Sequence, residues 1–73
     1  MERQATLIDG ANNHFKFYRV KVTGDSWTAY WGRIGKWTQS RTYHEVSEWA
    51  AKSAANERFA SKVAKGYSEL ATA

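Results

Sequence analysis

Basic and aromatic side chains are concentrated in the middle third of this 73-residue sequence. Residues 14–44 hold six of the eleven lysines and arginines and one aspartate, a net charge of +5, whereas the whole chain carries +4. The same stretch holds eight of the eleven aromatic residues. Cationic groups bind phosphates and aromatic rings stack on bases, so this combination is typical of a surface that binds nucleic acid. The alternative is that the cations are only the solvated side of a sheet.

Residue types that support catalysis or metal binding are scarce. The chain has no cysteine, which excludes disulfides and cysteine-ligated metals. Its two histidines, His14 and His44, lie thirty positions apart, and no carboxylate arrangement completes a metal site around them. No paired nucleophile and base and no glycine-rich phosphate loop is present. We therefore expect a protein that is not an enzyme and that has no cofactor and no metal.

The remaining composition indicates one small globular domain spanning residues 1–73. No apolar run exceeds three residues, so we expect no membrane partner and no membrane-spanning segment. The start, Met1-Glu2-Arg3-Gln4, is polar and lacks the apolar stretch of a secretory signal. We expect a soluble, cytoplasmic protein.

Four strands are predicted to position the basic and aromatic residues. β-favouring residues occupy 5–8, 15–23, 27–34 and 39–43, and the turn signals between them are short. Thr23-Gly24-Asp25-Ser26 suits a two-residue hairpin of type II′ or type I′. Such short connections require an antiparallel meander. Phe15 and Phe17 fall on the face opposite Tyr18, and either a bulge or an aromatic cover over that face would explain them.

A helix is predicted over residues 47–65, after the strands. Ser47 can cap its start, Gly66 can end it, and Ala51, Ala55, Phe59 and Val63 form an apolar stripe. The predicted fold class is therefore α+β: a four-stranded antiparallel meander with one long C-terminal helix packed on one face. We also expect Trp49, near the helix start, to pack on the sheet.

The segment Tyr30-Trp31-Gly32-Arg33-Ile34-Gly35 resembles the signature of the WGR domain. That module occurs in DNA-break-sensing poly(ADP-ribose) polymerases and in many bacterial proteins. The strand Lys16-Phe17-Tyr18-Arg19-Val20 and the loop Gly35-Lys36-Trp37-Thr38-Gln39-Ser40 are similar to family segments, although Thr38 stands where the family has glycine. The helix that follows Ser47 and ends Lys65-Gly66-Tyr67 is similar to that of bacterial members. The resemblance covers about residues 5–69.

The resemblance implies nucleic-acid binding without catalysis, in contact with the end of a DNA strand. Carried over to this sequence, Trp31 would pack on the terminal nucleotide and Arg33 would act beside it. Two positions apart on one strand, they project from the same face. An indole gives a flat stacking surface, and a guanidinium can hold a phosphate with two hydrogen bonds. Alternatively, Trp31 belongs to the core and Arg33 forms a structural bridge with Glu45 or another acidic residue.

Seven further residues complete the predicted nucleic-acid-binding set. Trp37 lies at a turn tip beside Lys36, where an exposed tryptophan has little structural purpose, so a stacking role is favoured. The others could contact phosphate, or could be ordinary solvated or turn-forming residues. The full set is Trp31, Arg33, Lys36, Trp37, Gln39, Arg41, Lys16, Lys21 and Asn13.

DNA is the expected partner, with RNA as the other nucleic-acid candidate. The competing hypothesis is a protein-interaction module that docks to a partner chain or self-associates, in which the basic strip only keeps the domain soluble. Salt dependence discriminates between the two, because counterions compete with nucleic-acid binding far more than with an aromatic protein interface.

Overall fold

The computed structural model describes residues 1–70, which form one five-stranded antiparallel sheet covered on one face by a helix. In chain order the elements are β1 (Glu2–Asp9), β2 (His14–Thr23), β3 (Ser26–Arg33), β4 (Thr38–His44), α1 (Glu48–Ala64) and β5 (Ser68–Glu69). The strands lie in the order β4-β3-β2-β1-β5. The α+β class, the antiparallel meander and the C-terminal helix are confirmed, and the sheet gains β5 as a fifth strand.

Short turns dictate the meander. Thr23 pairs with Ser26, and Gly24 has φ 60°. Asp25 does not have a positive φ, so the turn is type II′ and not type I′. Between β3 and β4, the Lys36 amide donates to the Arg33 carbonyl at 3.0 Å, and Gly35 has φ 82°. A positive φ at the third position of a four-residue turn favours glycine, so Gly35 reverses the chain here.

Helix α1 begins and ends at the predicted signals. The Ser47 hydroxyl accepts a hydrogen bond from the Ala50 amide at 3.1 Å. At the other end Gly66 adopts φ 108°, and the Tyr67 amide returns to the Lys62 carbonyl at 3.2 Å. After this turn, β5 pairs antiparallel with β1. No helix within residues 1–70 has the length and apolar character needed to cross a lipid bilayer.

The core lies between α1 and one face of the sheet. Phe59 and Val20 are its largest fully buried side chains, and the small Ala51 and Ala55 let the helix approach the strands closely. The buried set is Ala5, Tyr18, Val20, Val22, Trp27, Ala29, Ala51, Ala55 and Phe59. These positions alternate along β2 and β3, so one face of each strand points toward the helix.

Two sequence interpretations are settled by side-chain direction. The pairing register of β2 runs unbroken past Phe15 and Phe17, so both rings lie on the helix-free face and no bulge is involved. The expectation that Trp49 packs on the sheet is wrong, since its side chain is 77% exposed. Trp49 precedes Ala51 by two positions, about 200° around the helix from the buried stripe.

Candidate nucleic-acid interface

Trp31 and Arg33 project from the helix-covered face of β3, at the end of the strand that lies near the last turn of α1. Along this face Trp27 and Ala29 are buried, Trp31 is half-buried and Arg33 is exposed. Trp31 packs against the core with part of its ring. The rest of the ring borders a groove. Trp31 is therefore partly a core residue and partly accessible from the groove.

The groove has a volume of about 400 Å³ and is built from four separate parts of the chain. β2 and β3 form its floor, β4 and the loop before it form one wall, and the end of α1 with the residue after Gly66 forms the other. Its lining residues are Lys16, Trp31, Gly32, Arg33, Lys36, Trp37, Gln39, Lys62 and Tyr67. Three are aromatic, four are cationic and none carries a carboxylate.

The cations of the groove crowd one another. Lys16 is paired with Arg33 across β2 and β3. The Lys62 ammonium lies 5.2 Å from the centre of the Tyr18 ring. Burial lowers the pKa of Lys62, and the neighbouring charges of Lys65, Arg58 and Lys16 lower it further. A bound anion would offset this mutual repulsion.

Gly32 brings the loop before β4 close to β3. A Cβ atom at this position would lie 2.5 Å from the Trp37 carbonyl oxygen, closer than real side chains approach. The missing side chain therefore lets the Trp37 backbone pass directly over the strand. The Trp37 indole, which is 89% exposed, then stands at the rim of the groove.

Within residues 1–70, Arg33 is held by the loop between β1 and β2 and not by a carboxylate. Its Nη2 atom donates to the Asn13 carbonyl oxygen at 3.4 Å. Asn13 presents that carbonyl from a left-handed conformation with φ 56°. The alternative bridge to Glu45 is not formed, because Glu45 lies beside Asp25 at the start of β3 and Arg33 lies at the end of that strand. The Glu45 carboxylate accepts a hydrogen bond from Trp27 Nε1 at 3.1 Å. Arg33 thus keeps most of its donors free for a ligand.

Six of the nine predicted residues line this groove together: Lys16, Trp31, Arg33, Lys36, Trp37 and Gln39. Asn13 adjoins it through the hydrogen bond to Arg33. Arg41 shares the helix-covered face, but its guanidinium lies 5.2 Å from the Tyr43 ring and outside the lining. Lys21 points to the opposite face of the sheet, beside Glu2 and Thr28.

Sequence reasoning missed Lys62 and Tyr67 as groove residues. Lys62 follows the buried Phe59 by three positions, which places both on the sheet-facing side of α1. Tyr67 follows the glycine that ends the helix and packs partly against the core. The spacing from Phe59 was the available signal for Lys62.

The two histidines lie at opposite ends of the sheet. His14 pairs with Asp9 in β1, whereas His44 pairs with Ser26, and its Nδ1 atom lies 2.8 Å from the Ser26 hydroxyl. Within the part of the chain that the structure describes, no three histidine, cysteine, aspartate or glutamate side chains form a group that could hold a metal.

Comparison with known proteins gives one family and one solved structure. A family model described as WGR domain matches residues 1–73, the whole chain. The fold is similar to part of a crystal structure of a Bacteroides fragilis protein, with 28% identity and a TM-score of 0.86 over 97% of this chain. The match covers 20% of that longer chain, so this sequence spans about a fifth of its length. No curated protein matches.

Proposed function

The chain belongs to the WGR domain family, and from that premise we propose that it binds nucleic acid, with DNA strand ends held in the groove around Trp31 and Arg33. The family is known for nucleic-acid binding in poly(ADP-ribose) polymerases, and the domain is a small binding module without catalytic activity of its own. The observation that carries the proposal is the groove itself, which places four cations beside three aromatic rings with no carboxylate among them.

The shape of the groove favours a strand end over the interior of a duplex. The accessible part of Trp31 lies at its floor, between the Trp37 loop and the end of α1. Bases inside a duplex are stacked on both sides and cannot present a free face to this indole. A terminal nucleotide can, and stacking on an aromatic side chain contributes about 1–3 kcal/mol per base.

The cations around this floor suit a terminal phosphate. Arg33 retains free guanidinium donors, and Lys16 lies opposite it on the neighbouring strand. Lys36 and Lys62 approach from the loop and from the helix. A phosphate group between them would bind through charge-assisted hydrogen bonds, about twice as strong as neutral ones.

A competition experiment tests the choice of strand ends. Labelled linear duplex with 5′-phosphates is bound to the protein and competed with linear and covalently closed circular DNA of equal length and sequence. We expect the linear competitor to displace the probe at a much lower concentration than the circle. Equal competition would contradict end recognition and leave general electrostatic binding. No binding to either DNA would contradict the nucleic-acid proposal as a whole.

A protein-docking role remains the second candidate, and one observation favours it. Val46 is 96% exposed and Trp49 is 77% exposed, and they lie together at the start of α1. Large apolar side chains at this exposure are typical of interaction surfaces. This patch lies at the opposite end of α1 from Lys62, so substitutions at Trp49 separate the two roles.

A further inference from the structure

Strand β4 forms an open edge of the sheet. The sheet order leaves it paired with β3 alone, and within residues 1–70 no strand pairs with its outer side. Its seven residues, Thr38–His44, contain no proline and no lysine, and its pairing register with β3 is unbroken. Natural proteins usually protect such an edge with proline, lysine or a bulge. This strand has none of these three devices, and its one charged side chain is Arg41.

The pairing pattern identifies the backbone groups that point outward. Ser26 and His44 are paired across β3 and β4. The hydrogen bond next to them joins the residue after His44 to the residue before Ser26: the Glu45 amide donates to the Asp25 carbonyl at 2.8 Å. That pair is therefore a non-hydrogen-bonded one, and hydrogen-bonded pairs alternate with it along the ladder. It follows that Thr38, Ser40, Thr42 and His44 direct their N–H and C=O groups away from β3. These groups form a template for one more strand.

The opposite edge of the sheet is partly covered. There β5 pairs with Ala5 and Thr6 of β1, and the Arg3 guanidinium holds the Glu69 carboxylate at 2.7 Å. Within residues 1–70, β5 is two residues long and lies against the middle of the eight-residue β1. We therefore place the added strand at β4, whose outer side has no partner along its whole length among the described residues.

Two arginines lie near the β4 edge on the helix-covered face of the sheet. Arg41 is exposed, and the Arg58 guanidinium lies 5.8 Å from the Tyr43 ring. Glu45 and Glu57 line the same surface as Tyr43 and Arg58, so Arg41 is the cation that the edge strand itself provides. An added strand with carboxylates beside Arg41 would meet positive charge on this face.

From these observations we propose that the β4 edge binds an extended acidic segment of a partner polypeptide as a sixth strand of the sheet. The backbone groups of Thr38, Ser40, Thr42 and His44 would supply the ladder, and Arg41 would select for carboxylates. A second copy of the chain fits less well, because each copy carries +4 and would bring Arg41 toward a like-charged edge. This inference does not depend on nucleic-acid binding in the groove.

Amide NMR of the full chain tests the proposal with a defined probe. The probe is a synthetic eight-residue peptide that alternates glutamate with threonine and valine. We expect it to slow hydrogen exchange at the amides of Ser40 and Thr42 and to shift their resonances. The matched control peptide has lysine in place of each glutamate, and we expect it to leave both amides unchanged.

Two variants examine the separate parts of the site. Ser40→Pro removes one outward N–H group, and proline is tolerated where the N–H faces solvent. We expect it to bind the glutamate peptide roughly tenfold more weakly. Arg41→Glu keeps the backbone ladder, so it remains informative if the proline variant fails to fold. We expect Arg41→Glu to prefer the lysine peptide.

Three results would overturn the proposal. The first is unchanged exchange at Ser40 and Thr42 with saturating glutamate peptide. The second is a set of shifts confined to groove residues such as Lys36 and Lys62, which would show that the peptide acts only as a polyanion. The third is protection of Ser40 and Thr42 that rises with protein concentration without peptide, since a second copy would then occupy the edge. None of these results bears on the competition between linear and circular DNA.

Discussion

The Trp37 carbonyl oxygen occupies the space that a side chain on Gly32 would need, 2.5 Å from the position of its Cβ atom. Gly32 stands between Trp31 and Arg33, and Trp37 belongs to the loop that forms one wall of the groove. Gly32 therefore determines the position of the Trp37 backbone relative to β3. The motif specifies a loop position as well as two side chains.

Gly32→Ala should destabilise the domain and displace the loop. Backbone cannot move aside as cheaply as a side chain, so we expect a loss of about 1–3 kcal/mol. In a domain of this size that corresponds to a thermal midpoint lower by about 4–8 °C per kcal/mol. Gly10→Ala is the matched control, because nothing lies within 4 Å of its Cβ position and its φ is not positive. Equal midpoints for the two variants in thermal denaturation would contradict the steric argument.

Trp37→Ala should weaken binding to DNA ends without changing stability. Its indole is 89% exposed and buries little surface in the free protein. Loss of one stacking contact would cost about 1–3 kcal/mol, roughly a five- to hundredfold weaker Kd. Trp49→Ala removes another exposed tryptophan, 77% accessible, at the far end of α1, and we expect its Kd to match the wild type. A fall in affinity for both variants in fluorescence anisotropy would count against a specific role for Trp37.

Lys62→Gln should reduce the salt dependence of duplex binding. The logarithm of the binding constant falls with the logarithm of salt concentration by about 0.9 per phosphate contact. If Lys62 contacts one phosphate, removing its charge should make that slope shallower by about 0.9. Lys21→Gln makes the same change on the opposite face of the sheet and should leave the slope unaltered. Titrations over a series of salt concentrations would measure both, and equal slopes for the two variants would contradict the assignment.

Acid should loosen the strand β5. The hydrogen bonds from Arg3 hold the pKa of the Glu69 carboxyl below its usual range. A carboxyl whose pKa is lower in the folded state contributes stability above its ordinary pKa of 4.5, and that contribution is lost as pH falls through the folded value. Glu69→Gln should therefore lower the thermal midpoint at neutral pH, and the difference from wild type should disappear in acid.

Glu57→Gln is the control for this pH profile, because Glu57 forms no ion pair within residues 1–70. Its difference from wild type should stay small across the same pH range. If the difference in thermal midpoint caused by Glu69→Gln persisted in strong acid, where the carboxyl is protonated in the folded protein, the ion pair with Arg3 would not be its origin.

Local sequence patterns predicted most of the fold. Alternating residues defined β2 and β3, Ser47 marked the helix start, and Gly66 marked its end. The two-residue strand β5 left no pattern, because its pairing depends on the distant contact between Arg3 and Glu69. The exposure of Trp49 was predictable, since its angle from the alanine stripe follows from helix geometry.

The candidate site was predicted less completely, for a different reason. The motif predicted Trp31, Arg33 and the loop residues together, because they lie close to one another in the sequence. Lys62 and Tyr67 come from the other end of the chain and reach the groove only because the last turn of α1 lies over this end of the sheet. A strand pattern does not specify which end of the sheet a following helix covers. Lys21 was predicted wrongly for another reason, because strand alternation places its side chain on the helix-free face, away from the groove.

The groove gathers side chains from Lys16 to Tyr67, fifty-one positions apart, and so exists only when the whole chain is folded. By mass action, an occupant that binds only this assembled state adds about 2.7 kcal/mol to stability at roughly one hundred times its Kd. For a short chain without cysteine, that is a substantial share of a typical total of about 5–15 kcal/mol. Resistance to heat and proteolysis would then measure the fraction of the protein whose groove is occupied by a ligand.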